Sequence, residues 1–160
     1  MLRLSFKGFT IIELLITMVI ISILLLATAP VITCFINNNK AVTTTNMIVS
    51  ALQFARSEAI KNSIKVKYCK SSDHKTCGGK WEYGQIVIDE KGKLLRVFAA
   101  LKCNDKLTWN SSLNKDDYVE FTSSGFTNGQ VGSFVYTPNG QEKYSQTITI
   151  NQTGRIKINY

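Results

Sequence analysis

The chain has 160 residues, 44% of them hydrophobic, and a formal net charge of +8. That length leaves room for one globular domain and excludes a second of comparable size. The positive excess favours anionic partners, such as nucleic acid or lipid head groups, without choosing between them. The averages conceal a split: from Leu14 to Asn39 there is no Asp, Glu, Lys or Arg, and nearly all the charge lies outside that stretch.

The chain opens MLRLSFKGFTIIELLITMVIISILLLATAP, with Arg3 and Lys7 ahead of a long apolar run. Phe9 to Ile36 is 28 residues, about 42 Å as a helix at 1.5 Å per residue, and a bilayer core needs roughly 20 residues. Positive charge before the run and none just after it places the N-terminus in the cytoplasm and the remainder outside. Ala27 and Ala29 form an A-x-A-like pattern, as in a secretory signal peptide. Two features oppose a simple cut there: Pro30 would follow it directly, and Glu13 lies inside the apolar region. A carboxylate in that setting costs about 2–3 kcal/mol and needs a partner. Pro30 removes one helical hydrogen bond and can kink or loosen the helix.

Asn37-Asn38-Asn39-Lys40 marks the exit from the apolar run, and a helix is expected to continue there or restart near Thr45. Ile48, Leu52, Ala55 and Ala59 share one helical face, which predicts packing against a sheet. Gln53, Arg56, Ser57 and Lys61 lie largely off that face, and Glu58 is placed to bridge Lys61. Strands are predicted at Ile64–Tyr68, where apolar residues alternate with Lys65 and Lys67, and at Tyr83–Asp89. Lys91-Gly92 turns the chain into Leu94–Phe98. Asn104 to Asp117 reads as a polar loop anchored by Trp109. Further strands are expected at Tyr118–Phe121, Gly132–Thr137, Gln146–Ile150 and Arg155–Tyr160, with a turn at Pro138-Asn139-Gly140.

Of the four cysteines, Cys34 lies in the apolar run and reads as a packed thiol. Cys69 and Cys77 enclose the short loop CKSSDHKTC and are the favoured disulfide, with Cys77–Cys103 as the rival pairing. A location outside the cytoplasm permits such a bond. No enzyme is indicated. The single histidine, His74, reads as a solvated loop residue, and Asp116-Asp117 as a solvated pair. There is no HExxH, GxSxG or phosphate loop. Cys69 and Cys77 lack CxxC zinc spacing, so neither metal nor cofactor is expected.

Two groups of cations offer a place for an anionic ligand. Between Lys61 and Lys80 there are six lysines against one acid, Asp73, a pattern that also suits an exposed sheet face guarded against edge pairing. At the C-terminus, Thr153-Gly154-Arg155-Ile156-Lys157-Ile158-Asn159-Tyr160 places Arg155 and Lys157 on one side of a strand, about 6–7 Å apart. Such a pair can grip successive phosphates, or serve as the ordinary polar face of a terminal strand. Gly154 permits a turn just before them.

Lys7-Gly8-Phe9-Thr10-Ile11-Ile12-Glu13-Leu14-Leu15 resembles the class III signal of type IV pilins. The resemblance implies cleavage by a prepilin peptidase after Gly8, methylation of the new N-terminus at Phe9, and an assembly role for Glu13. The Glu13 carboxylate of one subunit would pair with the freed amine of a neighbour. Pro30 matches a proline common in pilin helices. Ala51-Leu52-Gln53-Phe54-Ala55-Arg56-Ser57-Glu58-Ala59-Ile60-Lys61, with Cys77-Gly78-Gly79-Lys80-Trp81 and Gly84 to Asp89, resembles the GspH/FimT family of minor pilins and pseudopilins. The implied fold is α+β: a long N-terminal pilin helix, transmembrane and then amphipathic, packed on a small antiparallel β-sandwich-like domain. The implied organisation is a leader at 1–8, a transmembrane and filament-core helix at 9–36, an amphipathic helix at 37–62 and a β-rich periplasmic domain at 63–160. Gly154-Arg155-Ile156-Lys157 also resembles the C-terminal Gly-Arg-x-Arg motif through which FimT-like pilins bind DNA. Lys157 replaces the last Arg, keeping the charge and losing the bidentate fork. The resemblance therefore implies a minor pilin anchored in the bacterial inner membrane and incorporated in a pilus. It would bind DNA non-specifically during natural transformation, through Gly154, Arg155 and Lys157 with Lys65 and Lys67 contributing. The alternatives are a structural or priming minor pilin, and a GspH-like pseudopilin of a type II secretion system.

Overall fold

The computed structural model describes residues 8–102, 104–113 and 117–159, and for 26–34 the backbone alone. Arg3, Lys7, Cys103, Asp116 and Tyr160, and the side chains of Ala27, Ala29, Pro30 and Cys34, therefore lie outside the described residues.

One α-helix, α1, runs from Ile11 to Asn62 without a break at the asparagine-rich exit. The chain divides into two compact units, residues 1–36 and 37–160, and α1 contributes to both. In the first unit the large apolar side chains of α1 from Ile11 and Ile12 to Leu24 and Leu25 are exposed, with Glu13, Thr17 and Ser22 among them. Among the described residues no helix is long and apolar enough to cross a membrane.

In the second unit Ala41, Thr45, Ile48, Leu52, Ala55 and Ala59 form a fully buried stripe. Their spacing alternates between three and four residues, the repeat that keeps one helical face turned inward. Three alanines in that stripe let the sheets approach the helix closely, while Ile48 and Leu52 supply the apolar bulk. Glu58 and Lys61 stand 3.8 Å apart at the solvent-exposed end.

The strands are β1 (Val66–Lys70), β2 (Gln85–Asp89), β3 (Leu94–Phe98), β4 (Lys106–Ser111), β5 (Tyr118–Phe121), β6 (Gly132–Thr137), β7 (Gln146–Ile150) and β8 (Ile156–Asn159). They form two antiparallel sheets, ordered β3-β2-β1-β5 and β4-β6-β7-β8. The inward residues alternate as a half-buried sheet requires. Val66, Tyr68, Val87, Val119 and Phe121 come from the first sheet, and Leu107, Trp109, Phe134, Tyr136, Ile148 and Ile150 from the second. Tyr68, Trp81, Trp109 and Phe134 pack their rings at centroid distances of 4.5–5.9 Å. All of this core lies at or beyond Ala41, so a fragment beginning at Asn37 retains the whole of it.

Three expectations need correction. The polar stretch after Asn104 is not only a loop: Lys106–Ser111 is a strand, paired with β6 along its whole length. Leu107 and Trp109 alternate into the core while Thr108 and Asn110 stay out, so Trp109 is a core residue rather than a loop anchor. The predicted strand at Tyr83 begins at Gln85, because Trp81–Tyr83 forms a short 3-10 turn that buries Trp81. The first strand begins at Val66 and extends to Lys70.

The outer edge of β5 is covered by the chain that returns past it, where the Asn128 N–H donates to the Glu120 carbonyl at 3.1 Å and Thr127 bridges Phe121. Gln130 accepts the Glu120 N–H at 2.7 Å and donates to the Tyr118 carbonyl at 3.1 Å, standing where another strand would otherwise pair.

Candidate functional site

At the N-terminal end, Gly8, Phe9 and Thr10 are exposed and precede the helix, and no atom stands within 4 Å of where a Cβ on Gly8 would lie. The Gly8–Phe9 peptide bond is thus carried on accessible, non-helical backbone. Glu13 lies in the first turn of α1. Its Oε2 accepts from the Thr10 N–H at 3.5 Å, and the Thr10 hydroxyl accepts from the Glu13 N–H at 3.3 Å. Thr10-x-x-Glu13 is a capping box, a signal present in the sequence beside the pilin-like one. The positive end of the helix dipole also favours this carboxylate. Among the described residues no cation stands within ion-pair distance of Glu13.

At the C-terminal end, a hairpin between β7 and β8 carries Gly154, Arg155 and Lys157. Thr149 and Lys157 are partners across it. Arg155, Lys157, Thr149, Asn151 and Asn159 line one open cavity of about 380 Å³. Among the described residues that lining holds two cations, three hydrogen-bonding neutral side chains and no carboxylate. The turn is fixed by Asn151, whose Oδ1 accepts from the Arg155 N–H and the Thr153 hydroxyl, both at 2.8 Å.

Gly154 serves the turn from beneath. It is buried with φ +73, and a Cβ there would stand 2.1 Å from the Gly125 carbonyl oxygen. Arg56 reaches both chains: its Nε donates to the Gly125 carbonyl at 3.0 Å and its other nitrogen to the Thr153 carbonyl at 3.1 Å. The Thr127 N–H donates to the Gln152 carbonyl at 3.0 Å in the same junction. Arg56 lies off the apolar stripe, as its spacing predicts, yet it anchors two loops rather than facing only water. Helical periodicity does not reveal that use.

Lys65 and Lys67 belong to the other sheet's side of the domain, and no described contact brings them to Arg155 or Lys157. Both face Glu120, at 3.8 and 3.6 Å, and Lys67 also lies over the Tyr118 ring at 4.9 Å. The bare lysine face expected from the sequence is therefore partly neutralised by a carboxylate more than 50 positions away in the chain.

Cys69 and Cys77 are joined by a disulfide, with Cα atoms 5.6 Å apart. Within the loop they close, the Asp73 carboxylate accepts from the N–H groups of Lys75 and Thr76 and the hydroxyls of Ser71 and Thr76. The Thr76 and Lys75 N–H groups hold its carboxyl well below the usual carboxylate range. His74 is half-buried rather than solvated, and it packs over Gly84: a Cβ at Gly84 would lie 2.3 Å from its ring. Asp117 pairs with Lys70 at 2.6 Å. Among the described residues no three His, Cys, Asp or Glu side chains are grouped to hold a metal ion.

A further polar cluster ties α1 to the turn after β6. Lys40 Nζ donates to Asp105 Oδ1 at 2.6 Å and to Asn139 Oδ1 at 2.8 Å. Asp105 also accepts from the Asn139 N–H and the Tyr136 hydroxyl. Burial alone would push the Asp105 carboxyl up, but the Asn139 N–H, Lys40 and Tyr136 together hold it below its ordinary value. Tyr136 is pushed up to about 12 by burial and by the Asp105 carboxylate, against the Thr44 hydroxyl.

The family model for the type II transport protein GspH matches residues 44–154, well over half of the chain. The chain belongs to the GspH family. The model for the prokaryotic N-terminal methylation motif matches residues 3–29, so this GspH-family chain is a type IV pilin-like pseudopilin. Membership implies processing by a prepilin peptidase and association with other pilin subunits in a membrane-anchored, pilus-type assembly. No curated protein matches it in sequence. Two crystal structures of the type IV minor pilin FimU from Pseudomonas aeruginosa strain PAO1 match its fold, with TM-scores of 0.54 and 0.53 at 22% and 23% identity. They cover 76% and 74% of this chain, and 91% and 92% of their own. At that identity the likeness bears on the fold alone.

Proposed function

We propose that this pseudopilin is a minor pilin of a type IV pilus that binds DNA without sequence preference during natural transformation. The observation that carries the reading is the cavity, free of acids among the described residues, that holds Arg155 and Lys157 together. Two cations held at strand spacing, with Thr149, Asn151 and Asn159 as neutral donors between them, suit successive phosphates and read no base. Gly154 supports the site from below by letting the turn dock on Gly125. Lys65 and Lys67 contribute less, because Glu120 competes for them.

In this reading Gly8 and Phe9 flank the processing cut, and Glu13 receives the freed amine of a neighbouring subunit. The apolar run Phe9–Ile36 anchors the protein once through the inner membrane with the head in the periplasm. The long uncharged stretch supports that placement.

The test is a gel shift and salt series on a fragment beginning at Asn37. Two phosphate contacts give a slope of about −2 in log K against log salt. Arg155→Ala with Lys157→Ala should make the slope shallower by about 2. Unchanged retardation by the double variant would reject this site, and no retardation of DNA by the native fragment at low salt would reject the function. A second reading is favoured by the family description: a GspH-type pseudopilin of a type II secretion system, or a priming subunit, with no ligand of its own. A native head that retards no DNA, with loss of secretion or of pili in a deletion strain, supports that reading.

A further inference from the structure

The loop closed by Cys69 and Cys77 lies over the end of β1, and between them is an open cavity of about 590 Å³. Its lining includes Lys67, Lys70, Lys75, Gly78, Asp117 and Tyr118. We propose that this groove is a second contact for the phosphodiester backbone of nucleic acid, and that the disulfide assembles it. The inference rests on the DNA-binding reading above and extends it to residues on the opposite sheet.

Three cations converge there from separate pieces of chain. Lys67 and Lys70 come from β1, and Lys75 from the loop. The loop is fastened to β1 by the disulfide, by the Gly78 N–H on the Lys70 carbonyl at 2.8 Å and by the Ser72 N–H on the Gly78 carbonyl at 3.0 Å. Lys75 therefore has a defined place relative to Lys70. A Cβ on Gly79, at φ +94, would stand 1.9 Å from the Ser72 hydroxyl, so glycine keeps the loop closed down on itself.

Lys67 is shared with Glu120 at 3.6 Å, but the acids beside Lys70 and Lys75 do not cancel those two. Asp73 spends its carboxylate inside the loop on two N–H groups and two hydroxyls. Asp117 pairs with Lys70, but its side chain is 67% exposed, so water or an incoming phosphate exchanges with it readily. Lys75 has no carboxylate within ion-pair distance among the described residues. A phosphodiester entering the groove would take Lys75 directly and share Lys70 with Asp117, beside the Tyr118 ring.

The experiment measures binding of a double-stranded oligonucleotide by fluorescence anisotropy across a chloride series, on a fragment beginning at Asn37. Lys70→Ala with Lys75→Ala should make the log-log slope shallower by about 2 and weaken binding severalfold at low salt. Arg155→Ala with Lys157→Ala should remove a separate share. Mild reduction of the disulfide, or Cys69→Ser with Cys77→Ser, should reproduce the Lys75 part of the loss while far-UV circular dichroism stays native. An unchanged slope in the Lys70/Lys75 variant overturns the groove and leaves the DNA reading standing. No binding by the native fragment overturns both. Inorganic phosphate displacing the oligonucleotide well beyond its ionic strength, in the native fragment and not in the Lys70/Lys75 variant, would assign the groove to free phosphate and overturn the nucleic-acid occupant.

Discussion

Gly154→Ala separates a structural glycine from a ligand-contacting one. An L-residue held at a left-handed backbone angle costs about 1–2 kcal/mol. The added methyl would stand 2.1 Å from the Gly125 carbonyl oxygen and 3.1 Å from Arg56 Nε, and overpacking of that kind adds about 1–3 kcal/mol. The loss in the head is therefore about 2–5 kcal/mol, a large share of the 5–15 kcal/mol typical of a domain. Urea unfolding of a fragment beginning at Asn37, followed by tryptophan fluorescence, measures it as a lower midpoint at unchanged slope. Arg155→Ala, on an exposed side chain in the next position, should shift stability by no more than about 0.5 kcal/mol. Under conditions where the Gly154→Ala head stays folded, its salt slope for DNA should match the native value, since no cation is removed. A head as stable as native that has lost DNA binding would refute the reasoning and move Gly154 into the ligand site itself.

Asp105→Ala should cost the head about 2–4 kcal/mol, because it strands the Lys40 ammonium, the Asn139 N–H and the Tyr136 hydroxyl together; thermal unfolding of the two proteins side by side checks it. Asp105 also sets an acid limit. Its carboxyl is held below its ordinary value in the folded head, so the stability it confers is complete above the unfolded value of about 3.9 and is lost as pH falls through the lowered folded one. Asp105→Ala should flatten that part of a stability-against-pH curve. Trp109→Ala should cost about 3–5 kcal/mol, read as a lower urea midpoint, whereas a residue that only anchors a loop would cost little. Glu13→Gln should leave the head's unfolding unchanged and reduce the subunit's recovery in sheared filaments, scored by immunoblot.

Much of this fold is written in local pattern. The helix stripe through Ile48, Leu52, Ala55 and Ala59 and the strands at Leu94–Phe98, Gly132–Thr137 and Gln146–Ile150 follow from periodicity and turn residues alone. The β4 strand was hidden by its exposed face: Lys106, Thr108 and Asn110 make the segment look polar, although Leu107 and Trp109 alternate between them. For the candidate site, the alternation of Arg155 and Lys157 around Ile156 was legible, because it depends on strand geometry. The Arg56 contacts, the Glu120 partners of Lys65 and Lys67, and the Lys40–Asp105–Asn139 cluster were not. Each joins residues more than 50 positions apart, and a single sequence carries no local sign of such partners. The capping box at Thr10 and Glu13 was readable but stood in the shadow of the pilin-like motif that shares its glutamate.

Because Glu13 already reaches the N–H at the start of its own helix, a subunit outside a filament has a resting partner for that carboxylate. Under the proposed pairing, joining a polymer would exchange this 3.5 Å contact with a neutral N–H for a neighbour's oppositely charged amine. A subunit outside a filament would then keep that acid capped within its own first helical turn.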